Sequence, residues 1–180
     1  PADVFIIAVQ TPHRDTPAGK RVSDMTFVRA AAEEVGHVVR GGNLVVLEST
    51  SPPYSTRMVE QVVSEVSGIP ADRFMTAHCP ERIIPGRMLI ELRENDRIIG
   101  SKDPKAAEYA KEIYAPVVTK GTIRTTDDLT AEMCKLTENT FRDINIAYAN
   151  ELSKVCDRLG IDVFNLIRLA NCHPRVNVHM

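Results

Sequence analysis

An α/β fold is expected over residues 1–125, a parallel sheet dressed with helices, followed by a helical region over 126–180. Three observations predict it. In the first eighty residues short apolar runs alternate with amphipathic stretches in the order βαβαβ. The first run, residues 4–9, is apolar on both alternations, as a strand covered on both faces must be. From Asp128 to Leu159 there is no glycine, no proline and no strand signal.

Each element follows in order. Residues 4–9 form the first strand, and 10–20 a loop punctuated by Pro12, Pro17 and Gly19. Ser23 or Asp24 caps a helix running to about Val39, with Phe27, Ala31, Val35 and Val38 or Val39 on one side. Gly41 and Gly42 stop it. Residues 44–47 are the second strand, and Ser49-Thr50-Ser51-Pro52-Pro53 is the turn at its carboxyl end. A helix over 55–67 carries Met58, Val59, Val62, Val63 and Val66, with Gly68 as its stop. Residues 73–77 are the third strand, and 79–87 a loop stiffened by Pro80 and Pro85. A short strand occupies 96–100. Asp103 and Pro104 then open a helix to Tyr114, an acceptor at the cap and proline in the first turn. Residues 117–122 hold one more short strand. The helix over 128–159 spans roughly 45 Å, far above the usual length, and Gly160 ends it. Its apolar stripe is Met133, Leu136, Phe141, Ile144, Ala147 or Tyr148, Leu152, Val155 and Leu159. Asp162 caps a second helix to Ala170. Such helices side by side build a linker or a dimer seam.

Bulk properties narrow the function classes. A net charge of −2, with no lysine-arginine block, argues against a nucleic-acid or membrane-surface partner. No apolar run reaches the length of a spanning helix. Cys79, Cys134, Cys156 and Cys172 match neither a disulfide framework nor a CxxC site, so reduced thiols in a cytoplasmic protein are expected. The pairs His78-Cys79 and Cys172-His173 lack zinc-site spacing, and no metal is expected. The chain opens directly into an apolar strand, which suggests a piece of something longer.

Ligands bind at the carboxyl ends of strands in open parallel sheets. Three polar segments fall there: Gln10-Thr11-Pro12, the 48–53 segment, and His78-Cys79-Pro80-Glu81. Thr11 and Thr50 sit where a cofactor or substrate would lie, although Thr-Pro and Ser-Pro segments also simply make turns. Glu81 follows a strand in a stiff loop, where a carboxylate can orient water or act as a general base. The alternative is a surface acid paired with Arg82 or Arg87. Lys135 and Asn139 are four apart on the long helix and share a face. A lysine and an amide together suit an alkoxide or oxyanion. The alternative is a solvated helix side, with Glu132, Glu138 and Arg142 as surface charges. No GxGxxG or GxGxxA phosphate turn occurs, so the sheet is either not a dinucleotide fold or begins after that turn.

The segments 5–12, 48–50, 77–86, 95–100 and 131–145 together resemble the UDP-glucose/GDP-mannose dehydrogenase family. Residues 150–152 and 169–177 are similar to its branch acting on UDP-N-acetyl-D-mannosamine. The resemblance implies the second half of a Rossmann-type parallel sheet domain, then a long central helix and a helical dimerisation region. It implies NAD as cofactor, a UDP-sugar substrate and a homodimer or higher homo-oligomer. The reaction implied is oxidation of the C6 primary alcohol to a carboxylate with two NAD, through a thioester on a cysteine. By the same resemblance Thr11 is a cofactor-side residue, and Thr50 lies near the nicotinamide and the catalytic water. Glu81 assists thioester hydrolysis, Lys135 and Asn139 stabilise the oxyanion and contact the sugar, and Arg175 approaches the sugar. Many glucose-type members carry a second glutamate where this chain has Pro85, which favours the N-acetylhexosamine branch. The family's Gly-Gly-x-Cys segment has no counterpart here, nor does the glycine turn, so the expectation is an incomplete chain, inactive alone. The alternatives are a UDP-N-acetylglucosamine or UDP-glucose 6-dehydrogenase, a hydroxyacid dehydrogenase, or a module that serves only for helical dimerisation.

Overall fold

The computed structural model describes residues 2–83 and 86–179. Pro85, the position of the missing second glutamate, lies outside them. In chain order the elements are β1 (Val4–Ile7), β2 (His13–Asp15), β3 (Arg21–Ser23), α1 (Thr26–Gly36), β4 (Leu44–Leu47) and α2 (Ser55–Ser67). There follow a 3-10 turn (Ala71–Arg73), β5 (Met75–His78), α3 (Met88–Glu94), β6 (Arg97–Gly100), α4 (Pro104–Tyr114), β7 (Ile123–Thr126), α5 (Asp128–Leu159) and α6 (Val163–Ala170). Internal contacts divide the chain into two compact units, 1–136 and 137–180.

In the first unit, five strands make one sheet in the order β1-β4-β5-β6-β7. β4 lies between β1 and β5, and all four of its residues are buried. Alternation sends Val45 and Leu47 into a core with α1 and α2, where Val28, Ala32, Val59 and Val63 meet them. Leu44 and Val46 enter the opposite core, closed by Ala106, Ala107, Ala110 and Tyr114 of α4. A strand sandwiched this way has to be apolar at every position.

The sheet is mainly parallel, with one departure from expectation. β6 runs antiparallel to β5, starting from His78 opposite Gly100. β7 is again parallel to β6. The β5–β6 connection carries only the short helix α3, and an antiparallel neighbour needs no full crossover, whereas β6 and β7 are joined by α4 as a parallel pair requires. The expected loop 10–20 contains a small antiparallel hairpin, β2 with β3. The last strand forms at 123–126 rather than 117–122. Residues 117 and 118 instead close a turn on the Tyr114 carbonyl, and Gly121 donates to the Arg93 carbonyl at 3.1 Å.

Helix boundaries follow their caps. Asp103 accepts from Lys105 N at 3.0 Å, and Asp162 from Phe164 N at 2.9 Å. Asp24 accepts from Thr26 N at 3.0 Å, and α1 begins there. Gly68 and Gly160 both adopt positive φ where α2 and α5 stop.

In the second unit, the rest of α5 and α6 hold a C-terminal tail. Asn171 bonds Val178 twice: its Nδ2 donates to the Val178 carbonyl at 2.9 Å, and its Oδ1 accepts from Val178 N at 2.8 Å. Asn145 Nδ2 donates to the Asn177 carbonyl at 2.7 Å and its Oδ1 accepts from His179 N at 2.8 Å. Two asparagine amides thus stand in for a partner strand along the tail.

Candidate active site

The carboxyl ends of β1, β4 and β5 are stitched into one shelf. Ser49 Oγ donates to the Val9 carbonyl at 2.6 Å and accepts from Val9 N at 2.9 Å. Thr11 Oγ1 donates to the Thr50 carbonyl at 2.7 Å. Cys79 N bonds Leu47 O at 3.0 Å, and Glu81 N bonds Glu48 O at 3.3 Å. Thr11, Thr50 and Glu81 therefore stand on neighbouring segments of one edge. Thr11 and Thr50 are both half-buried.

Glu81 is tied to Arg97, a residue the sequence reading did not select. Arg97 Nη2 lies 3.2 Å from Glu81 Oε2, and Nη1 lies 3.3 Å from Glu48 Oε1. The Arg97 side chain is 6% exposed. Its guanidinium lies 4.8 Å from the Tyr114 ring centroid, a cation–π distance. Tyr114 donates to Glu48 Oε1 at 2.6 Å, and Arg97 Nη1 to Cys79 Sγ at 3.4 Å. The second Glu81 oxygen accepts from Arg82 N at 2.5 Å. Burial alone would lower the Arg97 pKa, but Cys79, Glu81 and Glu48 around it raise it above its ordinary value. Burial likewise pushes the Cys79 thiol up to about 11, so this cysteine is a packed thiol rather than a nucleophile. Tyr114 is raised as well, first by burial, then by Cys79 and the Glu48 carboxylate.

Lys135 stands on α5 one turn after Glu132, and both belong to the first unit. Glu132 is fully buried, so its reading as a surface charge is corrected. Its Oε2 accepts from Tyr54 N at 2.6 Å, while Oε1 accepts from Thr56 N at 2.8 Å and Thr56 Oγ1 at 2.7 Å. It caps α2 from a distant helix and holds Tyr54 at φ 72. Next to it Asp128 takes a two-point hydrogen bond from Arg57, at 2.8 and 3.1 Å, which holds its carboxyl below the usual range. These clamps fix the first turns of α5, and with them Lys135, against the segment that follows the Thr50 turn.

Asn139 and Arg175 belong to the second unit. Asn139 is half-buried and its Oδ1 accepts from Arg142 Nη2 at 3.0 Å. Arg175 lines a largely apolar cavity of about 680 Å³ with Phe141, Ile144, Tyr148, Leu152 and Leu166. Of the cysteines on α5, Cys156 is buried and Cys134 half-buried.

An open α/β sheet with polar groups gathered at its carboxyl edge, and a long helix clamped beside them, defines a nucleotide-binding class of domain. The chain belongs to the UDP-glucose/GDP-mannose dehydrogenase family: residues 1–118 match its NAD binding domain, and residues 129–180 its central domain. It is 49% identical over 177 residues to a UDP-N-acetyl-D-mannosamine dehydrogenase of Methanococcus maripaludis, matching 98% of this chain and 40% of that protein. It is 48% identical to an NDP-N-acetyl-D-galactosaminuronic acid dehydrogenase of Ralstonia nicotianae, over 99% of this chain and 43% of the relative. The structure of a UDP-D-ManNAc dehydrogenase from Pyrococcus horikoshii superposes with a TM-score of 0.90 at 42% identity, covering 99% of this chain and 42% of that one. The chain thus spans about two fifths of the length of these relatives.

Proposed function

We propose that the protein carrying this chain is an NAD-dependent 6-dehydrogenase of UDP-N-acetyl-D-mannosamine. It converts the C6 primary alcohol to the carboxylate, consuming water and two NAD and releasing two NADH and three protons. The observation that carries the reading is the shelf at the sheet's carboxyl edge, where Thr11, Thr50 and Glu81 stand together, in a chain nearly half identical to dehydrogenases named for that sugar.

NAD, when bound, supplies the hydride acceptor. The half-buried Thr11 and Thr50 suit its ribose and amide groups, since the Thr11 hydroxyl spends its one proton on Thr50 O and keeps lone pairs to accept with. Glu81, 40% exposed at its side chain and anchored at both oxygens, is placed to take a proton from a water. Lys135 and Asn139 stabilise the oxyanion that develops on the sugar carbon, and Arg175 contacts the sugar. We place the boundary between the NAD-binding half and the central helical region near residue 125, between the two matched family domains. A homodimer through the central helices completes the reading, and four free cysteines suit the cytoplasm. Among the described residues no helix is long and apolar enough to cross a membrane.

The test is NADH formation by the complete protein with a panel of UDP-sugars. Two NADH per UDP-N-acetyl-D-mannosamine are expected, with kcat/KM higher than for the N-acetylglucosamine, N-acetylgalactosamine and glucose analogues. The galactosamine analogue is the second reading, on the strength of the Ralstonia relative. Preference for UDP-glucose would remove the N-acetylhexosamine assignment. Lys135→Ala and Asn139→Ala are each expected to lower turnover by roughly 10²-fold or more. Near-normal rates in both would end their oxyanion role.

A further inference from the structure

We propose that Arg97 is a positioning residue for Glu81, holding its carboxylate in the orientation that lets it take the proton of the attacking water. The proposal rests on reading Glu81 as the base of the hydrolytic step.

The geometry argues for a role beyond charge neutralisation. Burying a guanidinium requires a partner, and Glu48 already supplies one at 3.3 Å, itself fixed by the Tyr114 hydroxyl at 2.6 Å. Glu81 is a second carboxylate that the burial of Arg97 does not require. It comes from a loop and is 40% exposed, yet its Oε2 sits 3.2 Å from Nη2. The guanidinium fork divides its nitrogens accordingly: Nη1 serves Glu48 and Cys79, and Nη2 serves Glu81. A lysine ammonium cannot make this split, because it is one point rather than a planar fork.

Arg97 is itself held firmly. It opens β6, and continuing the antiparallel register from His78 opposite Gly100 sets it across from Glu81. The Tyr114 ring lies 4.8 Å from the guanidinium carbon, and the residue is 5% exposed. With Arg82 N bonded to Oε1, the carboxylate is anchored from both sides before any substrate arrives, which removes a reorientation step from catalysis.

In the step served, the water oxygen forms a bond to the thioester carbon and its proton passes to Glu81. The carbon–sulfur bond then breaks with the electron pair leaving on sulfur, and no oxidant is consumed. Arg97 touches none of the reacting atoms and acts through Glu81 alone.

The test uses the complete enzyme and a double-mutant cycle. Glu81→Gln, Arg97→Met, the double variant and Arg97→Lys are compared for kcat, for KM, and for the acyl-enzyme adduct by intact mass. Glu81→Gln is expected to lower kcat by about 10²-fold, and Arg97→Met by about 10- to 100-fold, with KM little changed and the adduct accumulating in both. The double variant should be no more than about twofold slower than Glu81→Gln, because the two residues act as a unit. Arg97→Lys should lose about tenfold by itself and nothing further in the Glu81→Gln background, and it decides the matter if Arg97→Met does not fold. Multiplying losses, or full activity in the Arg97 variants beside a slow Glu81→Gln, would overturn the proposal. Full activity in Glu81→Gln would instead overturn the reading of Glu81.

Discussion

His78 ends β5 with no exposed surface, and neither ring nitrogen has a hydrogen-bond partner among the described residues. Burial lowers its pKa to about 4, outweighing opposing pulls from the Leu47 carbonyl and Asp128. The unfolded chain binds the imidazole proton below about 6.5, while the folded chain refuses it until about 4. Stability is therefore lost as pH falls through that window, by about 2 kcal/mol at pH 5 and about 3 kcal/mol in full. Asp128, held low by Arg57, adds a separate loss at more acid pH. In urea titrations His78→Leu should flatten the slope between pH 6.5 and 4 and cost little at pH 7, since it removes two unsatisfied atoms. An unchanged slope would mean that His78 finds a partner. At this scale the sequence was legible for position, since Thr11, Thr50 and Glu81 stand together at the sheet edge where their strands end. Arg97 was not selected, because a charged residue in a short strand carries no motif of its own. The period-2 pattern did hold the signal, for Arg97 shares its face with Ile99, which is fully buried. Glu132 was misread because its partners are more than seventy residues away in sequence.

Elements with strong local signals form where expected, and those defined by their neighbours do not. α2 and α5 match residue for residue because glycine stops and helical spacing agree. α3 went unseen: it has seven residues and leaves Met88, Leu89 and Ile90 largely exposed, so no buried stripe announces it. The β2–β3 hairpin, with three residues a side, is equally faint. The direction of β6 depends on whether its connection crosses the sheet, which periodicity does not report. The join between α2 and α5 makes a prediction of its own. Glu132→Ala strips three donors of their acceptor at a buried helix start and should destabilise the fold by about 3 kcal/mol. Glu132→Gln should cost less, keeping one carbonyl oxygen but turning an amide N–H toward the Tyr54 N–H. Denaturation midpoints of the two variants measure this, and a midpoint unmoved by Glu132→Ala would mean that α2 is capped another way.

For the molecule as a whole, the apolar stripe of α5 was read correctly from sequence as apolar, but its partner was not readable. In the second unit Phe141, Ile144 and Tyr148 of α5 are more than half exposed, as are Leu159 and, on α6, Phe164 and Leu169. Apolar side chains crowded on one pair of helices are what an interface leaves behind when its partner is removed. A second copy of the chain fits the composition, because a twofold contact needs only a self-complementary face. A stable dimer buries on the order of 1,600 Å² in total. The chain should therefore sediment as a dimer at micromolar concentration. Because each substitution enters a twofold seam twice, Phe141→Glu or Phe164→Glu should weaken association by at least about 100-fold, leaving helix content and the sheet core unchanged. Leu89→Glu, at a still more exposed position on α3, should leave the dimer intact. A monomeric wild type, or equal loss with Leu89→Glu, would rule out the α5–α6 seam as the site of association.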